Sequence, residues 1–302
     1  MSDRTSRPAP RRQPEPELAV ELLADAQAFL DAAGPFLADR EAEHNLLFGI
    51  AANLVADPDR PMTAPPYLAA VWRDDDVIAA ALMTPPFNLV VSCVEDPAAL
   101  TALAADLERR RVHVPGITAP VDVARTFAER WAERHGVRTE RTMAERIYRV
   151  ERVTPPPDVP GGTRIATADD RDLLVEWVEA FLDEALDRTD PEETLAVVDG
   201  ALRSGSRTFY LWEHDGRPVS VAGVTGPTPN GIRVGPVYTP PDLRGRGFGS
   251  AVTAAASQAQ LDEGRRFVFL FTDVDNPTSN KIYQAIGYEP VIDIDQWGFE
   301  PA

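Results

Sequence analysis

The chain has 302 residues, enough for two ordinary domains, and 44% hydrophobic with 26% charged residues describes a soluble globular protein. No run approaches the ~20 apolar residues that a membrane span requires, so no membrane partner is expected. The net charge of −18 at pH 7 repels a phosphate backbone, which argues against nucleic acid and suits either solubility or the attraction of a cationic amine.

Residues 1–16 are rich in Arg, Pro, Ser and Glu without an apolar core, and read as a disordered tail rather than a secretory signal. Helical signals then run between Leu18 and Val55. Strands are expected near Tyr67–Trp72, Val77–Thr84 and Phe87–Val94. Asp96-Pro97 supplies a cap and an N1 proline for the next helix. Val114–Thr118 follows, then a helix Val121–His135 stopped by Gly136, then a strand Met143–Val150. The lone cysteine, Cys93, sits in an apolar run, excludes an intramolecular disulfide and suits a reducing cytoplasm. His44, His113, His135 and His214 show no metal-ligand spacing, so no metal is expected.

Residues 154–163 hold four prolines and two glycines in ten residues, which no helix or central strand tolerates. This segment is expected to link an N-terminal domain, 17–153, to a C-terminal one, 164–302. After it come a short strand Arg164–Ala166, a helix capped by Asp169 or Asp170, and a helix opened by Pro191 with Glu192 and Glu193 in its first turn. Strands Thr208–Trp212, Pro218–Val224 and Ile232–Tyr238 lead to a helix from Gly249 to Glu263. Strand Phe267–Thr272, helix Pro277–Ile286 and strand Pro290–Trp297 complete an α/β pattern that the N-terminal half repeats more faintly, suggesting a structural duplication.

Two motifs carry chemistry. Arg244-Gly245-Arg246-Gly247-Phe248-Gly249 lies between a strand and an Ala-rich helix. Its glycines let the backbone turn sharply and approach a ligand, and the amides opening the helix face an anion. With forked donors on Arg244 and Arg246, the turn suits a pyrophosphate. It lacks the Lys-Ser/Thr ending of a nucleotide P-loop and the acidic residue of a dinucleotide fold. The second motif opens with Asn276-Pro277. Asn276, Asn280 and Tyr283 share one helix face, presenting two amides and a phenol beside the apolar pair Ile282 and Ile286.

Together these motifs resemble the GCN5-related N-acetyltransferase (GNAT) superfamily, whose pyrophosphate loop reads Arg or Gln, x, x, Gly, x, Gly or Ala. Arg244, Gly247 and Gly249 fit it. Asn276 and Tyr283 match that superfamily's coenzyme-A asparagine and general-acid tyrosine, and the run Phe271–Tyr288 is similar to a bacterial branch with a degenerate N-terminal copy. The resemblance implies a tandem fold, each half a mixed, mostly antiparallel sheet flanked by helices, with a splayed central strand Val234–Thr239 in the C-terminal half. Gly235 and Pro236 make such a seam reasonable, since proline cannot donate to a ladder.

The resemblance further implies acetyl-CoA as co-substrate, held by backbone at Val237, Tyr238 and Thr239, by the turn Arg244–Gly249, and by Asn276 and Asn280, with direct transfer to a small-molecule or peptide amine. Tyr283 would protonate the departing thiolate. The base is left open among Asp273, the acidic residues Glu176, Glu179, Asp183, Glu184 and Asp187, and a water chain. In the N-terminal half, Glu95-Asp96-Pro97 stands where the glycine loop would be, so that half is expected to bind no coenzyme A and to shape the acceptor cleft. Acetylation of an amino-sugar conjugate, as by mycothiol synthase, and a catalytically lapsed coenzyme-A sensor are the alternatives. The acceptor and the oligomeric state are not legible.

Overall fold

The computed structural model describes residues 18–58, 62–186, 191–205 and 207–301. The expected tail, 1–16, and Asp187 lie outside them.

The N-terminal half runs β1 (Leu18–Leu22), α1 (Ala26–Ala38), α2 (Asn45–Ala56), β2 (Tyr67–Arg73), β3 (Asp76–Met83), β4 (Leu89–Val91), α3 (Ala98–Arg110), β5 (Gly116–Pro120), α4 (Val121–His135) and β6 (Val137–Val150). The C-terminal half repeats the plan. It runs β7 (Gly162–Ile165), α5 (Arg171–Leu186), α6 (Pro191–Ser204), β8 (Arg207–His214), β9 (Arg217–Thr225), β10 (Gly231–Tyr238), α7 (Phe248–Asp262), β11 (Phe267–Asp273), α8 (Pro277–Ala285) and β12 (Glu289–Pro301).

Several boundaries differ from the sequence reading. Leu18–Leu22 is an edge strand paired with β2 rather than the start of a helix, because five alternating residues satisfy either period and the β2 edge decides. The cap before α5 is Thr167, with Asp170 returning to its backbone in a capping box, not Asp169 or Asp170. Before α3, the Asp96 carboxylate accepts from the Ala98 N–H.

The twelve strands form one sheet in the order β1-β2-β3-β4-β5-β12-β6-β11-β10-β9-β8-β7. Each half therefore lends its last strand to the other: β12 pairs with β5, and β6 pairs with β11. The two lent strands pair with each other from Glu289 opposite Arg149 to Pro301 opposite Val137. Among the described residues only β4–β5 and β10–β11 are parallel, at equivalent places in the two halves.

In the C-terminal half α7 and α8 cover one face over Tyr148, Val234, Leu270 and Tyr288, while α5 and α6 cover the other over Phe209, Leu211, Val221 and Tyr238. Further contacts fix the halves against each other. The Glu41 carboxylate accepts from the N–H and side-chain amide of Asn230, both at 2.7 Å. In α2, a Cβ on Gly49 would stand 2.9 Å from Gly226 Cα, so only glycine allows the two backbones to meet there.

Candidate active site

After β10 the chain makes a short 3₁₀ turn, Pro241–Leu243, and enters the glycine turn with φ of 75° at Gly245 and 83° at Gly247. Both values lie where side chains other than glycine are strained. Gly247 is the N-cap of α7 and offers no side-chain acceptor, so the first amides of the helix keep their donors outward. Among the described residues none accepts from the N–H of Gly245, Arg246 or Gly247, and the stretch 244–246 is exposed. Behind the turn, Ala251, Ala254, Ala256 and Ser257 are buried, which brings α7 close to the sheet and aims its axis at the turn.

The two arginines differ. Arg244 is turned inward: its Nε donates to Thr239 O at 2.8 Å and its Nη2 to Glu184 at 2.6 Å. Arg246 lies 4.8 Å over the Phe248 ring and has no ion-pair partner among the described residues. Its charge is available to an anion at the turn.

Beside the turn the sheet splits. The parallel ladder of β10 and β11 covers only Gly231–Arg233 against Phe267–Phe269, although the strands continue to Tyr238 and Asp273. On its other side β10 stays paired to β9, with an irregularity between Val234 and Val237 at the Gly235-Pro236 step. Backbone groups of alternate residues from Val234 to Tyr238 thus face a gap, as the splayed strand requires. Ser220 Oγ reinforces the outer side, donating to Tyr238 O at 2.9 Å and lying 2.8 Å from Thr239 Oγ1.

Helix α8 carries the second motif. Asn276 Oδ1 accepts from Ser279 N at 3.0 Å, so this side chain is a helix cap. Asn280 Nδ2 donates to Asp273 O at 2.9 Å and Asn276 O at 2.8 Å, and its Oδ1 accepts from Tyr148 Oη at 2.9 Å. The two amides brace the helix with protein partners. Tyr283 alone of the three has no hydrogen-bond partner among the described residues, and its hydroxyl is not sealed away as Trp72 Nε1 and Trp297 Nε1 are. Its ring is partly buried and meets Tyr288 edge-on, with centroids 6.1 Å apart. Burial pushes the phenol up to about 12, so it stays protonated at neutral pH.

On the opposite face of the split lie residues that sequence reasoning did not single out. Arg233 is the last paired residue of β10 before the gap, and its guanidinium stands 5.5 Å over the Phe271 ring. Glu145, on the lent strand β6, is in register with Asp273 and accepts from Gln296 Nε2 at 2.7 Å. Nothing in residues 137–150 read alone signals this, because the topology alone brings Glu145 into the C-terminal half. Of the acidic residues read on the first helix, Glu184 is held by Arg244, Glu176 and Asp183 are exposed and Glu179 is partly buried.

In the N-terminal half the equivalent turn differs. Glu95 pairs with Arg40 at 3.4 Å, Asp96 pairs with Arg73, and no glycine stands between Ser92 and Pro97. A cavity of about 240 Å³ beside this turn is lined by His44, Cys93, Arg40 and Arg73. His44 Nε2 accepts from Cys93 N at 3.0 Å.

The profile of the Acetyltransferase (GNAT) family matches residues 171–288. Three solved structures share the fold across the chain. One is a Drosophila protein, 14% identical, covering 93% of this chain and 98% of its own, with a TM-score of 0.65. A GCN5-related N-acetyltransferase from Sphaerobacter thermophilus is 19% identical, with 93% and 95% covered and a TM-score of 0.58. A tandem GNAT protein from the clavulanic acid biosynthesis pathway is 16% identical, with 95% and 99% covered and a TM-score of 0.55. No protein of curated function matches the chain in sequence.

Proposed function

We propose that this chain, whose residues 171–288 match the Acetyltransferase (GNAT) family, moves the acetyl group of acetyl-CoA directly to a primary amine of a small molecule or peptide. The observation that carries the reading is the conjunction of a turn with three unpaired N–H groups and an adjacent gap between β10 and β11. That pair suits a diphosphate leading into an extended amide chain. Acetyl-CoA supplies an activated thioester.

The amides of Gly245, Arg246 and Gly247 and those opening α7 would bind the pyrophosphate, with the Arg246 charge beside them. Arg244 supports the turn through Thr239 and Glu184. Backbone donors of β10 around Val237 and Tyr238 would bind the pantetheine and stabilise charge on the carbonyl oxygen as it develops. Tyr283 holds its proton at Oη until a thiolate departs, the task of a general acid. No covalent intermediate on the protein is needed. The negative charge of the chain, −18 at pH 7, favours a cationic acceptor arriving by diffusion.

The test is thermal unfolding with and without acetyl-CoA, followed by thiol release over a panel of amines. Stabilisation by acetyl-CoA and amine-dependent thiol release are expected. Unfolding insensitive to acetyl-CoA would refute the reading, and stabilisation with no amine turned over would leave a coenzyme-A-binding protein without this activity.

A further inference from the structure

Across the sheet from Tyr283, a cation and an anion share one face of the sheet without forming an ion pair. Arg233 is anchored at the foot of the gap, where the β10–β11 ladder ends at Phe269, and its guanidinium reaches forward over Phe271, the first ring beyond that point on the same face. Odd-numbered residues of β11 and β6 share this face, because side chains alternate along a strand and the even-numbered Tyr148, Val150, Val268 and Leu270 line the α7 side. Glu145 and Asp273 therefore stand beside Phe271 on the Arg233 side.

Among the described residues Arg233 forms neither a hydrogen bond nor an ion pair, whereas Arg164, Arg171 and Arg244 of this half each have a carboxylate partner. Arg233 is partly buried, and loss of water pushes its pKa down, with Glu145 the opposing influence. Glu145 has one neutral partner, Gln296, and burial pushes its carboxyl up. A partly desolvated guanidinium without a protein partner gains by meeting an acceptor. A planar forked donor fits a carboxylate best.

Resting on the acetyltransferase reading, we infer that the acceptor is an amine that also carries a carboxylate, an amino acid or a peptide-like acid, with Arg233 taking the carboxylate and Glu145 the amino end. The two side chains come from different halves of the sequence, Glu145 by way of the lent strand β6. The N-terminal half thus supplies part of the acceptor pocket directly. Beside the gap, each charge that such an acceptor brings would meet its opposite.

The experiment compares free amino acids with their carboxamides and their decarboxylated amines as acceptors for the full chain. Thiol release is one readout, and calorimetric binding of the same compounds to the coenzyme-A-saturated protein is a second. The wild type is expected to favour acids over matched amides by roughly 10–100-fold in kcat/KM, the worth of a charge-assisted contact. Arg233→Gln should raise KM for the acid and bring that ratio close to one, with acetyl-CoA affinity kept. Arg233→Lys should recover part of the preference, which shows that a variant has folded. Glu145→Gln should weaken acid and amide alike.

Equal use of acids and amides by the wild type, or an unchanged ratio in Arg233→Gln, overturns the inference while leaving the acetyltransferase reading intact. Turnover confined to amines without an acid, or no acid bound by protein that binds acetyl-CoA, overturns it as well. Failure to bind acetyl-CoA at all removes both.

Discussion

Tyr148 donates its hydroxyl to Asn280 Oδ1 at 2.9 Å, so the helix that carries Tyr283 is tied to a strand that belongs, in sequence, to the other half. Gln284 Nε2 donates to the same hydroxyl at 3.1 Å, giving α8 two attachments to one buried ring. The position of the proposed acid is thus set from outside its own half.

Tyr148→Phe keeps the ring and removes both attachments. We expect a loss of about 1 kcal/mol in stability, the net worth of a buried hydrogen bond, and a several-fold fall in kcat with KM for acetyl-CoA little changed. Urea unfolding and steady-state kinetics on one preparation check this. Full activity would mean that the bonds to Tyr148 do not position α8.

Tyr283→Phe removes the proton donor and leaves the edge-on packing with Tyr288. Turnover should fall by roughly 10²-fold or more while the affinity for acetyl-CoA is kept. Because burial holds the phenol at about 12, the acid form persists across the alkaline range, so the wild-type rate should not fall between neutral pH and about pH 10 through loss of this proton. A descending limb centred near pH 8 would assign the acid to another group.

At Gly247, φ is 83° and an added Cβ would stand 2.9 Å from Val159 Cγ2. Gly247→Val should therefore distort the turn and abolish detectable acetyl-CoA binding. Arg246→Ala should weaken binding by a few-fold and lessen its dependence on salt, since the removed charge is exposed and screened. Circular dichroism separates loss of the turn from loss of the fold.

His44 is buried, and its Nε2 accepts from Cys93 N, so protonation breaks a hydrogen bond and charges an enclosed ring. Its pKa is pushed down, chiefly by burial. Below about pH 6.5 the unfolded chain binds a proton that the folded chain resists, so stability should decline as pH falls from there. His44→Gln should flatten that part of the profile in urea unfolding followed from pH 8 to pH 5. An unchanged slope would place the acid sensitivity elsewhere.

How much of this was legible follows from which residues carry local signals. The glycine turn, the cap-and-proline start of α8 and the break at Gly235-Pro236 are written in short stretches, and the structure shows each of them where it was read. The helix-face argument grouped Asn276, Asn280 and Tyr283, but periodicity does not say which amides already have partners. Asn276 caps its own helix, as the Asn-Pro start implied, while Asn280 braces Tyr148, which no local signal gave. The exchange of β6 and β12 left no trace, because alternation along Met143–Val150 reports a half-buried strand and not its neighbour. Glu145 was invisible for the same reason, and Arg233 because alternation along a strand does not say which side chain lacks a partner.

Calorimetric titration of acetyl-CoA into the full chain, its Gly247→Val variant and its Glu95→Ala/Asp96→Ala variant tests the account most directly. We predict one binding event per chain, lost in Gly247→Val and unchanged when the two N-terminal carboxylates are removed. Two binding events per chain, or binding that survives Gly247→Val, would contradict it.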